Sequence, residues 1–181
     1  NLIQMKKKWN VGRAEYESAV RKFHDHGMMI YGTFVFGYDH DTVEAFDECS
    51  EFAIRSRFYI ANFNPLTPTP GTALYDRLNG EGRLLYDRWW LDPDYRYGKA
   101  IFRPAGMSAE ELTDGCFRSR TGFYSYRSML ARASGACGSH FSPYKLGIFL
   151  ASNLISRREI LRKQNVAFGA ATSLPVQRNL S

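Results

Sequence analysis

Residues 28–37 read MMIYGTFVFG, a nearly continuous apolar and aromatic run. It is too short and too interrupted by glycine for a good helix, and a buried parallel strand fits it better. Such a strand needs neighbours at its edges and helices on its faces. The flanking sequence supplies them. Before it, residues 14 to 26 place Tyr16, Ala19, Val20 and Phe23 at the three-and-four spacing of one helix face, and Gly27 provides the carboxyl cap. After it, a loop at Tyr38 to His40 leads to Asp41, three residues ahead of Glu44 in a capping-box-like arrangement. The next helix carries Phe46, Cys49, Phe52 and Ala53 on one face, and a second strand follows at about 58–64. This order of helix, strand, helix and strand at short spacing predicts a parallel α/β protein.

The segment 65–72, PLTPTPGT, contains three prolines that remove backbone donors, so it is an ordered loop. A short helix is expected over 72–80, then an aromatic segment over 84–97 that includes Trp89 and Trp90, read as a plug under the carboxyl-terminal helices. An extended piece is placed at 99–103. Ser108 and Glu111 form a capping box that opens a long helix to about residue 133, which Gly115 and Gly122 weaken slightly. The stretch 134–142 breaks the pattern, and Pro143 suits the first turn of a last helix to about residue 164. Leu146, Phe149, Leu150, Leu154 and Leu161 form its apolar stripe, and Arg157, Arg158, Arg162 and Lys163 crowd its end. Residues beyond 166 are expected to be loose.

Composition narrows the function. Of 181 residues, 44% are hydrophobic and 23% charged, a globular balance that excludes collagen-like and disordered classes. No run of eighteen apolar residues and no leader-like amino terminus occurs, so a cytoplasmic setting is expected. Cys49, Cys116 and Cys137 are spaced for neither a disulfide framework nor a metal motif, and are read as free thiols. Lys and Arg outnumber Asp and Glu by ten to four over 107–181, which holds the whole net charge of +6. That asymmetry admits a second reading of the chain, as a noncatalytic basic helical module for nucleic acid or an anionic membrane.

Four segments together carry a family resemblance: GTFVFGYDHDT at 32–42, ANFNPLTPTPGTALYDRL at 61–78, EGRLLYDRWW at 81–90 and IFRPAGMSAEEL at 101–112. Together they resemble the cobalamin-binding type of radical S-adenosylmethionine (SAM) protein. The resemblance spans about residues 2 to 132. It implies a fold class of α/β, namely the carboxyl-terminal part of a parallel (β/α) partial TIM-like barrel at 1–80, followed by a mainly helical extension at 81–166 and a flexible tail at 167–181. It also implies SAM as cofactor, a [4Fe-4S] cluster and a cobalamin module. The CxxxCxxC cluster loop of that family is absent here. With no initiator methionine and a helix-like start at 2–8, the chain is therefore expected to be a fragment, inactive alone, whose cluster and cobalamin modules lie upstream in the same polypeptide. A small-molecule or lipid-like substrate is implied, with methylation, cyclisation and rearrangement all open as reactions.

In parallel barrels the active site forms at the carboxyl ends of the strands, so the resemblance points to Phe34, Gly37, Tyr38, Asn62, Asn64 and Leu66 as the border of the SAM nucleoside. Gly37 matches the family's glycine at the close of a strand, where backbone approaches the nucleoside, and Phe34 is taken to share its face and pack on the adenine. Asn62 and Asn64 alternate with apolar residues and share a face. Plainer readings stand beside these: Gly37 as a strand terminator, Asp41 as a helix cap, the two amides as a structural network. No metal ligands are assigned, because His24 and His26 lie at the opposite end of the first strand from His40. No nucleic acid partner is expected, and weak peripheral membrane contact is assigned to the terminal helix.

Overall fold

The computed structural model describes residues 13–136 and 142–167. The helix expected at 2–8, Cys137, most of the 134–142 break and the tail from 168 lie outside them. Among the described residues, six helices and a two-stranded parallel sheet are arranged in the order α1 (Arg13–Asp25), β1 (Tyr31–Phe36), α2 (Glu44–Arg55), β2 (Ile60–Pro65), α3 (Ala73–Gly80), α4 (Ala109–Phe123), α5 (Tyr126–Ala136) and α6 (Pro143–Lys163). The mixed α/β class agrees with the sequence. A barrel is not among what the described residues show.

Strand register decides which side chains share a face. Gly32 lies beside Ala61, Phe34 beside Phe63 and Phe36 beside Pro65, so alternation gathers the phenylalanines on one face. The Phe34 ring stacks on Phe63 with centroids 5.1 Å apart, Phe36 meets Phe46 of α2 at 4.6 Å, and Phe63 meets Phe123 of α4 at 5.6 Å. The opposite face is different. Tyr31, Thr33 and Val35 are exposed there, and Asn62 and Asn64 are half-buried. The two-sided burial expected of the first strand is thus corrected to one-sided burial among the described residues.

Helix α4 approaches α2 closely at Gly115, where a Cβ would stand 2.4 Å from the Phe46 ring. The glycine read as a weak point of the helix is a packing requirement. Ser108 and Glu111 form the expected capping box, and the Thr72 hydroxyl caps α3.

Several local expectations give way to tertiary demands. The single long helix divides into α4 and α5, because Tyr124 leaves helical geometry to reach β2, and Ser125 Oγ then accepts the Ser128 N–H to start α5. The extended piece at 99–103 is no more than an antiparallel bridge between Leu84 and Phe102. On α1, Tyr16, Ala19 and Phe23 are exposed, and Val20 alone of the expected face packs against the core. On α6 the buried residues are Phe149 and Asn153, while Leu150, Leu154 and Leu161 stay exposed. The leucine stripe is turned outward because Asn153 is needed inside.

That need comes from the outer edge of β2. Where another strand would pair, side chains take its place. The Tyr124 hydroxyl donates to Ala61 O at 3.1 Å and accepts from Ala61 N at 3.3 Å, and Arg120 Nε donates to Phe63 O at 2.7 Å. Arg132, fully buried, donates to Phe58 O at 2.7 Å, Tyr59 O at 3.2 Å, Phe123 O at 2.9 Å, Asn153 Oδ1 at 2.9 Å and Ser128 Oγ at 3.1 Å. Its guanidinium carbon lies 3.7 Å from the centre of the Phe123 ring. Burial pulls its pKa down to about 10, which leaves it charged at neutral pH. Arg132→Met would strip the donors from these buried acceptors. A loss of about 3–5 kcal/mol is expected, measured as a fall in the urea midpoint; a midpoint within experimental error of the parent would refute the assignment.

Candidate functional site

The carboxyl ends of β1 and β2 open into two loops that are tied down from several sides. Asp41 is not the N-cap of α2, a place taken by Val43. Its carboxylate reaches back instead and accepts the N–H groups of Gly37 at 2.9 Å and Tyr38 at 3.0 Å. Gly37 has a φ of 103°, and a Cβ there would lie 2.9 Å from Leu112 and 3.1 Å from Phe102. The space beside this glycine is filled by the protein itself, so its requirement is for backbone conformation and packing.

Asp39 joins the loop after β1 to the region after the proline loop, accepting from Arg77 at 2.5 Å and Arg83 at 3.2 Å. The proline loop is held in turn by Trp89, whose indole N–H donates to the buried Pro68 carbonyl at 3.4 Å. Hydrogen bonding from Arg77, with a smaller contribution from Arg83, holds the Asp39 carboxyl below its ordinary pKa. A depressed folded-state pKa means that ionised Asp39 stabilises the fold above the unfolded-state value, and that this stability is lost as pH falls through the folded-state value. Urea midpoints recorded from pH about 6 to below 4 should therefore fall less steeply in Asp39→Asn than in the parent; parallel curves would show that the clamp does not contribute.

Beyond the rim, Asn62 and Asn64 line a cavity of about 240 Å³ whose remaining wall comes from the carboxyl-terminal helices. Arg120 and Tyr124 stand on the α4 side, and Ser156, Glu159, Ile160 and Lys163 on the α6 side, with Tyr97 between. Tyr97 is fixed by backbone bonds to Val166 O and from Asn165 N, at 2.8 and 3.2 Å. Asn62 also donates to the Tyr31 hydroxyl across the open sheet face, and Arg120 donates to Asn64 Oδ1 at 3.4 Å.

The six residues singled out from the sequence are therefore not one surface. Asn62 and Asn64 come together, and Gly37, Tyr38 and Leu66 sit in the rim loops, with Leu66 N donating to Phe36 O at 2.7 Å. Phe34 is elsewhere. It is three residues from Gly37, and its ring lies in the helix-covered core between Phe58 and Phe63. Arg120 and Tyr124 were missed, although a trace was present: Leu112, Cys116, Arg120 and Tyr124 step by four along one stripe, and an arginine in a buried stripe needs a specific partner.

The described residues do not fit an iron–sulfur cluster. Cys49 and Cys116 lie on separate helices, and burial pushes their thiols up to about 11 and about 12, far from the thiolate state that ligation requires. Among the described residues no group of three His, Cys, Asp or Glu side chains is arranged to hold a metal. His24 and His26 are engaged by the Ser56 and Lys22 carbonyls. Anaerobic incubation of this chain with iron and sulfide should give no stoichiometric cluster absorbance; one cluster per chain would overturn the reading of its cysteines.

No protein-family model matches the chain. Curated relatives are found at low identity. The chain is 28% identical over 120 residues to the bacteriochlorophyllide d C-12(1)-methyltransferase of Chlorobaculum tepidum, which covers 66% of this chain and 25% of that protein. It is 25% identical over 117 residues to the anaerobic magnesium-protoporphyrin IX monomethyl ester cyclase of Cereibacter sphaeroides, covering 64% and 18%. With the hopanoid C-2 methylase of Rhodopseudomonas palustris it shares 34% identity over 68 residues, covering 38% and 13%. Its distant relatives are radical SAM-family enzymes. The chain spans a quarter or less of the length of each of these relatives. Among the described residues, no helix is long and apolar enough to cross a membrane.

Proposed function

We propose that this chain forms part of the SAM and substrate pocket of a radical SAM enzyme, with 1–80 as the last part of a partial barrel and 81–166 as its helical extension. The observation that carries the reading is the open face of the sheet. Parallel sheets are ordinarily covered on both faces, yet here α2 and α4 cover one, while Tyr31, Thr33, Val35 and the two amides are left on the other. In a barrel that second face is the lumen, and the rim loops lie at the carboxyl ends of the strands, where such folds bind ligands.

In this reading Asn62 and Asn64 hydrogen-bond the nucleoside, Thr33 and Val35 take the apolar position assigned to Phe34 from the sequence, and Gly37, Tyr38 and Leu66 shape the rim. The cluster, and a cobalamin if the enzyme uses one, take their ligands from parts of the protein outside this chain. SAM, when bound with a reduced cluster, supplies radical chemistry. The residues here bind and orient. The relatives' substrates support a large, poorly reactive carbon skeleton as substrate class, and their chemistry supports methylation or cyclisation.

The alternative, a basic binding module, draws little from the structure. Arg157 donates to Tyr124 O at 3.2 Å and sits over the Tyr126 ring, while Arg162 and Lys163 both pair with Glu159. Three of the four basic side chains are thus engaged within the chain.

Gly37→Val is a poor probe of the site, because Leu112 and Phe102 would be displaced whatever the ligand. Asn62→Leu is better, since it keeps side-chain size and removes the amide. In the intact protein, loaded with its cluster, it should weaken SAM binding about tenfold with the melting temperature little changed. Undiminished SAM affinity in the folded variant would show that this face is scaffold.

A further inference from the structure

We infer that the cavity between the outer edge of β2 and the end of α6 is a carboxylate-binding subsite anchored by Arg120. The inference rests on the open sheet face being a pocket wall, and names the group by which a substrate is held there. Arg120 is 7% exposed, so its charge is largely removed from water. A buried guanidinium is stable only where its charge and donors are answered. Its Nε is answered by Phe63 O at 2.7 Å and one donor of Nη2 by Asn64 Oδ1 at 3.4 Å. Both partners are neutral. Among the described residues no carboxylate lies within ion-pair distance of it.

Glu159, the one carboxylate lining the cavity, is already engaged by Arg162 at 2.6 Å and Lys163 at 3.0 Å. Arg120 is thus the lining cation that no lining carboxylate answers, which suits an anion. A carboxylate also has the planar pair of acceptors that a guanidinium edge accommodates. Ile160 offers apolar contact for a methylene arm. At about 240 Å³ the cavity is smaller than the ~300–1,000 Å³ of a complete ligand site. It suits the carboxylate arm of a larger molecule whose body lies over the open sheet face.

Two sources could present such a group: a substrate side arm or the methionine end of SAM. The geometry favours the substrate, because the cavity lies at the outer edge of β2, beyond the strand from the rim at Gly37 and Tyr38.

The test uses the intact protein and side-chain arginine NMR, following the Arg120 Nε–H during titration with butyrate, with butyramide as the uncharged match. Butyrate should shift the resonance saturably and butyramide should not. Arg120→Gln, which retains a donor for Phe63 O, should weaken butyrate binding at least about tenfold, read by calorimetry. Equal responses to butyrate and butyramide would overturn the subsite without needing any variant, as would full butyrate affinity in Arg120→Gln. A shift produced by SAM in place of butyrate would assign the cavity to the cofactor and overturn it too. A parent protein that binds butyrate but not SAM would leave the subsite standing and remove the reading above.

Discussion

Everything in this structure depends on how the outer edge of β2 is closed. A two-stranded parallel sheet has few ladder bonds, and an edge buried beneath helices exposes backbone groups that water cannot reach. Here Tyr124 and Arg120 answer Ala61 and Phe63, and Arg132 and Asn153 answer the Phe58 and Tyr59 carbonyls that lead into the strand. The helices after β2 are therefore not an appendage laid on a finished sheet. Their side chains take the place of a strand, and the aromatic core at Phe46, Phe63 and Phe123 runs continuously from the strands into them.

The same edge explains why polar side chains are buried where apolar ones were expected. Arg132 donates a hydrogen bond to Asn153 Oδ1 while each also donates to Tyr59 O. A hydrophobic substitute would pack but would leave the carbonyls bare. The cost of burying Arg132 is offset by five acceptors and the face of Phe123. Arg120, two turns from Leu112 on the same stripe, is answered less fully, and this difference separates a residue that only holds the fold from one with capacity left for a ligand.

The parts of the fold legible in the sequence were those decided within a few residues. The cap at Ser108 and Glu111, the break at the prolines, the helix beginning after Thr72 and both strands depend on local chemistry, and each is found near its expected place. Decisions made at long range were not legible. The split at Tyr124 is made by Ala61, 63 residues away, and the outward turn of the α6 leucines by Asn153 answering Arg132 and Tyr59. Asp41 had two uses available, helix cap or loop brace, and the chain's return at Gly37 selected the second. In the site, strand alternation was enough to pair Asn62 with Asn64, and it separates Phe34 from them. The third wall, from α4 and α6, had no local trace except an arginine among apolar neighbours.

The distance along the chain between β2 and the residues that seal it has a consequence during synthesis. Tyr124 is 63 positions beyond Ala61, and Arg120 is 57 beyond Phe63. At about 5–20 residues per second, the strand emerges from the ribosome roughly 3 to 13 seconds before the residue that closes its edge. For that interval a β-rich segment, IANFNP, stands with its edge unanswered, and the nascent chain is at its most vulnerable to pairing with another copy. The end of α4 is thus the step that closes the edge of the earlier strands.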